Sequence, residues 1–247
     1  MATFRPFRGI RPLPEKASAV ASRPYDVLDS VEAREKAAGN PLSFLRVVKP
    51  EIDLPPETDP YADEVYAKGR ENFLGLVEDG VLVRDESPSF YLYRLTMEGR
   101  SQTGVVGCCH VDEYYDGRIK KHELTRPVKE DDRVRQMEAV NAHTGPVMLA
   151  HPPLANAEAE YAEITKQAPD FAVTAEDGVG HESWSISDPD RIERLAKGRG
   201  DSTAFFAFAD TVVGVYQYVR DVEVAYLLSR TTQQADCGEA QGKSGFP

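Results

Sequence analysis

Apolar and polar positions alternate most clearly in the middle of the chain. Phe90-Tyr91-Leu92-Tyr93-Arg94-Leu95 runs into Glu98-Gly99, and a second β-prone run follows from Thr103 to Val111. Period-two patterning on both sides of a glycine turn predicts a β-hairpin. Phe171 to Ile186 predicts another, turning near Asp177-Gly178. Ser43-Phe44-Leu45-Arg46-Val47-Val48 and Val147-Met148-Leu149-Ala150 read as single strands, and Phe205 to Ala209 and Val212 to Tyr216 are β-prone.

Elsewhere the apolar period lengthens to that of a helix. Tyr61 to Glu78 carries Val65, Phe73, Leu74 and Val77 on one side, with Gly80 closing it. Val31 to Ala38 predicts a short helix, with Ser30 as N-cap, Gly39 as stop and Pro41 barring continuation. Ala155 to Ala168 predicts a third. A fourth starts at Asp188-Pro189, cap and first position. The first 26 residues are rich in proline and arginine and read as extended chain. Residues 112–145 are dense in charge and poor in apolar runs. Beyond Arg230 neither periodicity nor apolar content remains, which predicts a disordered tail.

These elements predict an α+β fold: a mixed sheet with flanking helices. The 247 residues suit one large domain or a domain and a half, divided here as 1–210 and a divergent, partly disordered 211–247. Twenty-nine basic against 41 acidic residues give a net charge of -12. That balance argues against nucleic acid and anionic membranes as partners, while leaving room for a local basic pocket. Cys108, Cys109 and Cys237 match no zinc spacing, and the adjacent pair reads as buried core. There is no leader-like start and no apolar run of about 18 residues, so a cytoplasmic, non-membrane protein is expected.

Three polar segments could carry chemistry. Lys120-Lys121-His122-Glu123-Leu124-Thr125-Arg126 gathers three cations, an imidazole, a carboxylate and a hydroxyl in seven residues. Cations would neutralise an anionic substrate, and Glu123 or His122 would move protons. Asn141-Ala142-His143-Thr144-Gly145-Pro146 places three polar side chains before a turn. In Ser22-Arg23-Pro24-Tyr25-Asp26-Val27, Arg23 suits an anion and Asp26 a base or metal ligand. Each segment also has a plain reading as a solvated turn. His122-Glu123 is not a zincin motif, because Arg126 stands where the second histidine would be. Glycine-rich phosphate loops of the Walker or dinucleotide type are missing.

Six segments together resemble a known family. Arg8-Gly9-Ile10-Arg11-Pro12, Pro24-Tyr25-Asp26-Val27, Asn40-Pro41-Leu42-Ser43-Phe44-Leu45, Gly99 to Gly104, Lys120 to Thr125 and Asn141 to Pro146 occur in the order found in the bacterial and archaeal domain of unknown function 1015 family. The resemblance covers about residues 4–200. It implies similarity to ParB-like and sulfiredoxin-like proteins, a group that includes kinases of free serine. It therefore implies phosphoryl transfer to a small metabolite such as serine, with nucleotide and magnesium as cofactors. On that reading Asp26, Glu123 and His122 are catalytic. Arg23, Lys121, Thr125, Arg126, Asn141, His143 and Thr144 bind substrate, and the oligomeric state is left open. The family's Asp-Gly-His-His-Arg motif fails here: Phe208-Ala209-Asp210 is followed by Thr211-Val212-Val213-Gly214. This break implies an incomplete ParB/sulfiredoxin-like element and a truncated or frameshifted C-terminal part, with impaired activity. A non-catalytic ligand-binding or regulatory module of ParB-like type is the alternative.

Overall fold

The computed structural model describes residues 3–121, 126–151, 155–197, 205–208 and 225–229. In chain order the elements are β1 (Phe4–Arg5), β2 (Ile10–Pro12), α1 (Ala17–Val20), α2 (Ser30–Ala37), α3 (Leu45–Val48), α4 (Asp63–Glu78), β3 (Leu82–Arg84), β4 (Phe90–Met97), β5 (Arg100–Cys109) and α5 (Asp112–Tyr115). They continue with β6 (Ile119–Lys121), α6 (Pro127–Val140), β7 (Val147–His151), α7 (Ala155–Ile164), β8 (Phe171–Thr174), β9 (Gly180–Ile186), α8 (Pro189–Lys197), β10 (Phe205–Phe208) and β11 (Ala225–Ser229).

The main sheet runs β6-β10-β7-β11-β5-β4-β9-β8, with β1 added at the end of β5. Its backbone is the hairpin β4–β5. Glu98 and Gly99 both take positive φ there (51° and 76°), the left-handed pair that matches the twist of the flanking strands. Most pairings are antiparallel, but β6–β10 and β7–β11 are parallel, so the sheet is mixed as expected. The Ala225–Ser229 strand lies within 211–247, the stretch read as tail. Residues 209–224 and 230–247, which include the β-prone run at Val212 and Cys237, lie outside the described residues.

Two layers of core follow. Phe90, Leu92, Val105, Leu149, Trp184 and Ile186 from the sheet pack with Tyr161, Ile164 and Leu195 of α7 and α8. A separate helical layer buries Val20, Val47, Phe73, Leu76 and Val140 in one cluster, and Ala33, Ala37, Leu45 and Val48 in another. At about 25 cal/mol per Å2 of apolar surface, these clusters supply the main drive for the fold.

Three local expectations need correction. Ser43 to Val48 is not a strand but a turn leading into α3. Its continuous apolar run serves two clusters at once, and such a run has no diagnostic period. The Asn40 side chain also directs the chain, donating to Ala19 O (2.8 Å) and accepting from Leu42 N (3.1 Å). α2 is capped by Asp29 rather than Ser30. Asp29 accepts from Val31 N and Glu32 N while Glu32 returns the bond to Asp29 N, a capping box. The N-terminal 26 residues contain α1 as well as extended chain, and the charged stretch 112–145 contains α5, β6 and α6.

Candidate functional site

α6 begins with Pro127 at a position where a missing N–H costs nothing, and ends at Asn141 in the left-handed conformation (φ 56°). Its inward face is unusual. Alongside Met137 and Val140 it buries Asp132 and Gln136, which lie four residues apart and so share one side of the helix. Opposite stand α4, the start of α2 and the 3-10 turn Pro50–Asp53. Between them lies a cleft of about 250 Å3, lined among others by Asp26, Lys49, Glu51, Asp132, Arg133 and Gln136.

Both buried carboxylates of the cleft have partners. Glu51 accepts from Ser30 Oγ (2.8 Å) and pairs with Lys49 Nζ (3.2 Å). Asp132 accepts from Tyr66 OH at 3.0 Å and from Arg133 at 2.7 and 3.2 Å. Burial, the Asp132 charge and this bond together raise the Tyr66 phenol well above its ordinary value of 10, so it remains a donor. Arg133 lies 3.9 Å from the centroid of the Tyr25 ring, and Arg135 lies 4.3 Å from that of Tyr66. Cation–π contacts of this kind hold the guanidinium groups in fixed orientations. Gln136 donates through Nε2 to Val47 O (2.6 Å), while its buried Oε1 has no hydrogen-bond partner.

A second recess of about 340 Å3 is larger and is lined by Ile164, Asp170, Trp184, Asp188 and Arg191 among others. Both of its carboxylates and its indole are engaged in the fold: Asp170 accepts from Arg11 and Ser185 N, Trp184 donates to Gln167 O, and Asp188 accepts from Arg191 N at the start of α8. The cleft on α6 has an unanswered acceptor and the denser charge, and is the stronger candidate.

The sequence-derived candidates fall in three places. Asp26 lines the cleft, next to Tyr25, whose ring carries Arg133. Arg23 instead faces the β8–β9 turn, with Nε 3.9 Å from Asp177 Oδ2. The remaining candidates belong to the end of β6 and the segments between β6 and β7. β6 ends at Lys121 opposite Ala207, and β7 starts at Val147, with Met148 opposite Phe208. The chain therefore leaves β6 toward residues 122–125 and enters β7 from His143 and Thr144 at the same sheet end. His122, Glu123 and Thr125 lie outside the described residues. Arg126 and Asn141 flank the two ends of α6. With 1.5 Å of rise per residue they are roughly 20 Å apart, so they do not contact a common small ligand.

The sequence did not single out eight of the cleft's polar residues as site candidates: Asp29, Lys49, Glu51, Tyr66, Lys129, Asp132, Arg133 and Gln136. The available signal was Asp132 and Gln136 at i, i+4 after a helix-starting proline. Two segments of the resemblance do structural work. Gly9 N donates to Tyr91 OH (2.8 Å) and Arg11 pairs with Asp85 (2.9 Å), which ties the N-terminal chain to the sheet. Arg46, beside the Asn40 segment, donates to Ala37 O and Asn40 O.

Among the described residues, no three His, Cys, Asp or Glu side chains converge as a metal cage. Magnesium carried on phosphates needs only one or two protein carboxylates, with water filling the rest. No helix among the described residues is long and apolar enough to cross a membrane. The family described as "Protein of unknown function (DUF1015)" matches residues 4–207. No curated protein and no solved structure matches the chain.

Proposed function

The chain belongs to the DUF1015 family, and from its geometry we propose that the α6 cleft binds a small charged metabolite to which members transfer a phosphoryl group. The observation that supports this most is the composition of the cleft. Three cations, Lys49, Lys129 and Arg133, stand among four carboxylates, Asp26, Asp29, Glu51 and Asp132, in an open cleft of about 250 Å3, a little below the volume of drug-sized ligand pockets. Phosphoryl transfer relies on positioning and charge neutralisation more than on covalent chemistry. Arg133, oriented by Asp132 and Tyr25, suits a phosphate or carboxylate oxygen. Asp26, whose carboxylate makes no hydrogen bond or ion pair among the described residues, is the proposed base for a substrate hydroxyl. Lys121, His122, Thr125 and Arg126, which precede α6 along the chain, would serve the phosphate donor, with magnesium and nucleotide. Glu123, Asn141, His143 and Thr144 would be supporting groups. Free serine is the substrate that the family resemblance suggests.

Titration calorimetry of the full chain with O-phospho-L-serine is expected to show saturable binding. Arg133→Met is expected to weaken it at least about tenfold, the worth of one charge-assisted hydrogen bond. Absence of heat with serine, phosphoserine and magnesium–nucleotide alike would contradict the proposal. A non-catalytic binding module, of the ParB-like type or another, is favoured by one observation: Glu51 and Asp132 are both already engaged. Binding without turnover of nucleotide would decide for that reading.

A further inference from the structure

Ser30 lines the cleft half-buried, at the first position of α2, and its Oγ donates to Glu51 Oε1 at 2.8 Å. A serine at a helix start ordinarily spends its hydroxyl on capping. Here Asp29 caps α2, and the Ser30 hydroxyl is directed to the carboxylate instead. Glu51 is 8% exposed, and its Oε1 is also held by Lys49 Nζ at 3.2 Å. A hydroxyl, a carboxylate within hydrogen-bond reach of it and a third group that orients the carboxylate form the arrangement that activates a serine nucleophile.

A rigid frame sets the two groups against each other. Arg34, one turn along α2 from Ser30, donates to the backbone oxygens of Glu51 (3.0 Å), Ile52 and Leu54 (3.0 Å). The turn that carries Glu51 starts at Pro50, and a Cβ at Gly69 would lie 2.8 Å from Pro50 Cγ, so glycine lets α4 back the turn closely. Geometry fixed in advance is what a nucleophile and its base need. Lys129 and Arg133, four residues apart and so on one side of α6, bring two cations to the same cleft, where they suit phosphate oxygens.

Resting on the phosphoryl-transfer reading of the cleft, we propose that Ser30 is a catalytic nucleophile that carries the phosphoryl group between donor and acceptor. Ser30 Oγ attacks the terminal phosphorus of a nucleoside triphosphate. The Oγ–P bond forms, the P–O bond to the nucleoside diphosphate breaks, and the hydroxyl proton passes to Glu51. In the second half the acceptor hydroxyl gives its proton to Asp26 and attacks the same phosphorus. The Oγ–P bond then breaks, and Ser30 recovers its proton from Glu51. Asp29 and Glu51 repel a phosphate on Ser30, so the covalent state is passed on rather than stored.

The test incubates the full chain with magnesium–ATP and no acceptor. Intact-mass spectrometry is expected to show one added phosphoryl group, fragmentation to place it on Ser30, and labelled ADP to exchange into ATP. Ser30→Ala is expected to abolish both signals, and Glu51→Gln to slow them at least about a hundredfold, the scale of general-base catalysis. No added phosphoryl group, a group on another residue, or exchange undiminished in either variant would each overturn the proposal. If a variant does not fold, the modified residue in the unaltered chain decides alone. Binding of O-phospho-L-serine while Ser30 stays unmodified would overturn the nucleophile and leave the binding reading standing. Modification of Ser30 without binding of phosphoserine would overturn that substrate class and leave the nucleophile standing.

Discussion

Asp132 shows how one side chain can serve fold and site together. It is buried and accepts from Tyr66 OH and from two nitrogens of Arg133. Removing it leaves a guanidinium and a phenol without their acceptor in a site shielded from water. Asp132→Ala is therefore expected to destabilise the chain by about 2–4 kcal/mol, read as a lower urea midpoint with the slope unchanged. Asp132→Asn, which keeps one acceptor oxygen, should lose less. The individual residues were poorly legible in the sequence. Asp26 was identifiable from its proline-flanked turn, but Glu51 and Asp132 look like any other acids among 41. What sets them apart is burial, which arises only when distant segments meet.

At the scale of elements, legibility followed the strength of the apolar period. The two hairpins and α4 could be read because one face of each is apolar and packs on a core. α6 could not, because the positions that would signal its inner face include Asp132 and Gln136. A helix that buries polar groups loses the pattern that identifies helices, and for the same reason it builds a polar cleft. α3 failed for the opposite cause, being buried on more than one side. α2 carries Ser30, which donates to Glu51, so its cap supports the cleft. Asp29→Ala removes the acceptor for Val31 N and Glu32 N and is expected to cost about 1 kcal/mol of stability. Its second expected effect is weaker phosphoserine binding, measured by the same calorimetry, because Ser30 moves with the first turn.

In the whole molecule the sheet holds α7 and α8, while in the helical layer α2, α3, α4 and α6 contribute to the cleft. The mixed α+β character was legible, since it needs only the element types. The order of strands was not: β1, β10 and β11 join the sheet through pairings distant in sequence. One property of this architecture can be read as a function of pH. His181 on β9 bonds through Nδ1 to Tyr93 OH (2.8 Å) on β4. Burial lowers its pKa from the ordinary 6.5, against an opposing pull from Asp177. Below about pH 6.5 the unfolded chain therefore takes up a proton that the folded chain resists. Stability is expected to be flat above that pH and to fall as the solution is acidified through the folded value. Urea midpoints between pH 7.5 and 5 would show this slope, and His181→Gln should flatten it.

The central claim is that the polar face of α6 forms the ligand site. Hydrogen–deuterium exchange of the full chain, with and without saturating O-phospho-L-serine, tests it most directly. The expected result is new protection in three separate segments, around residues 25–30, 49–53 and 129–136, which line one cleft. Protection confined to the recess beside Trp184 and Arg191, or no protection anywhere, would contradict it.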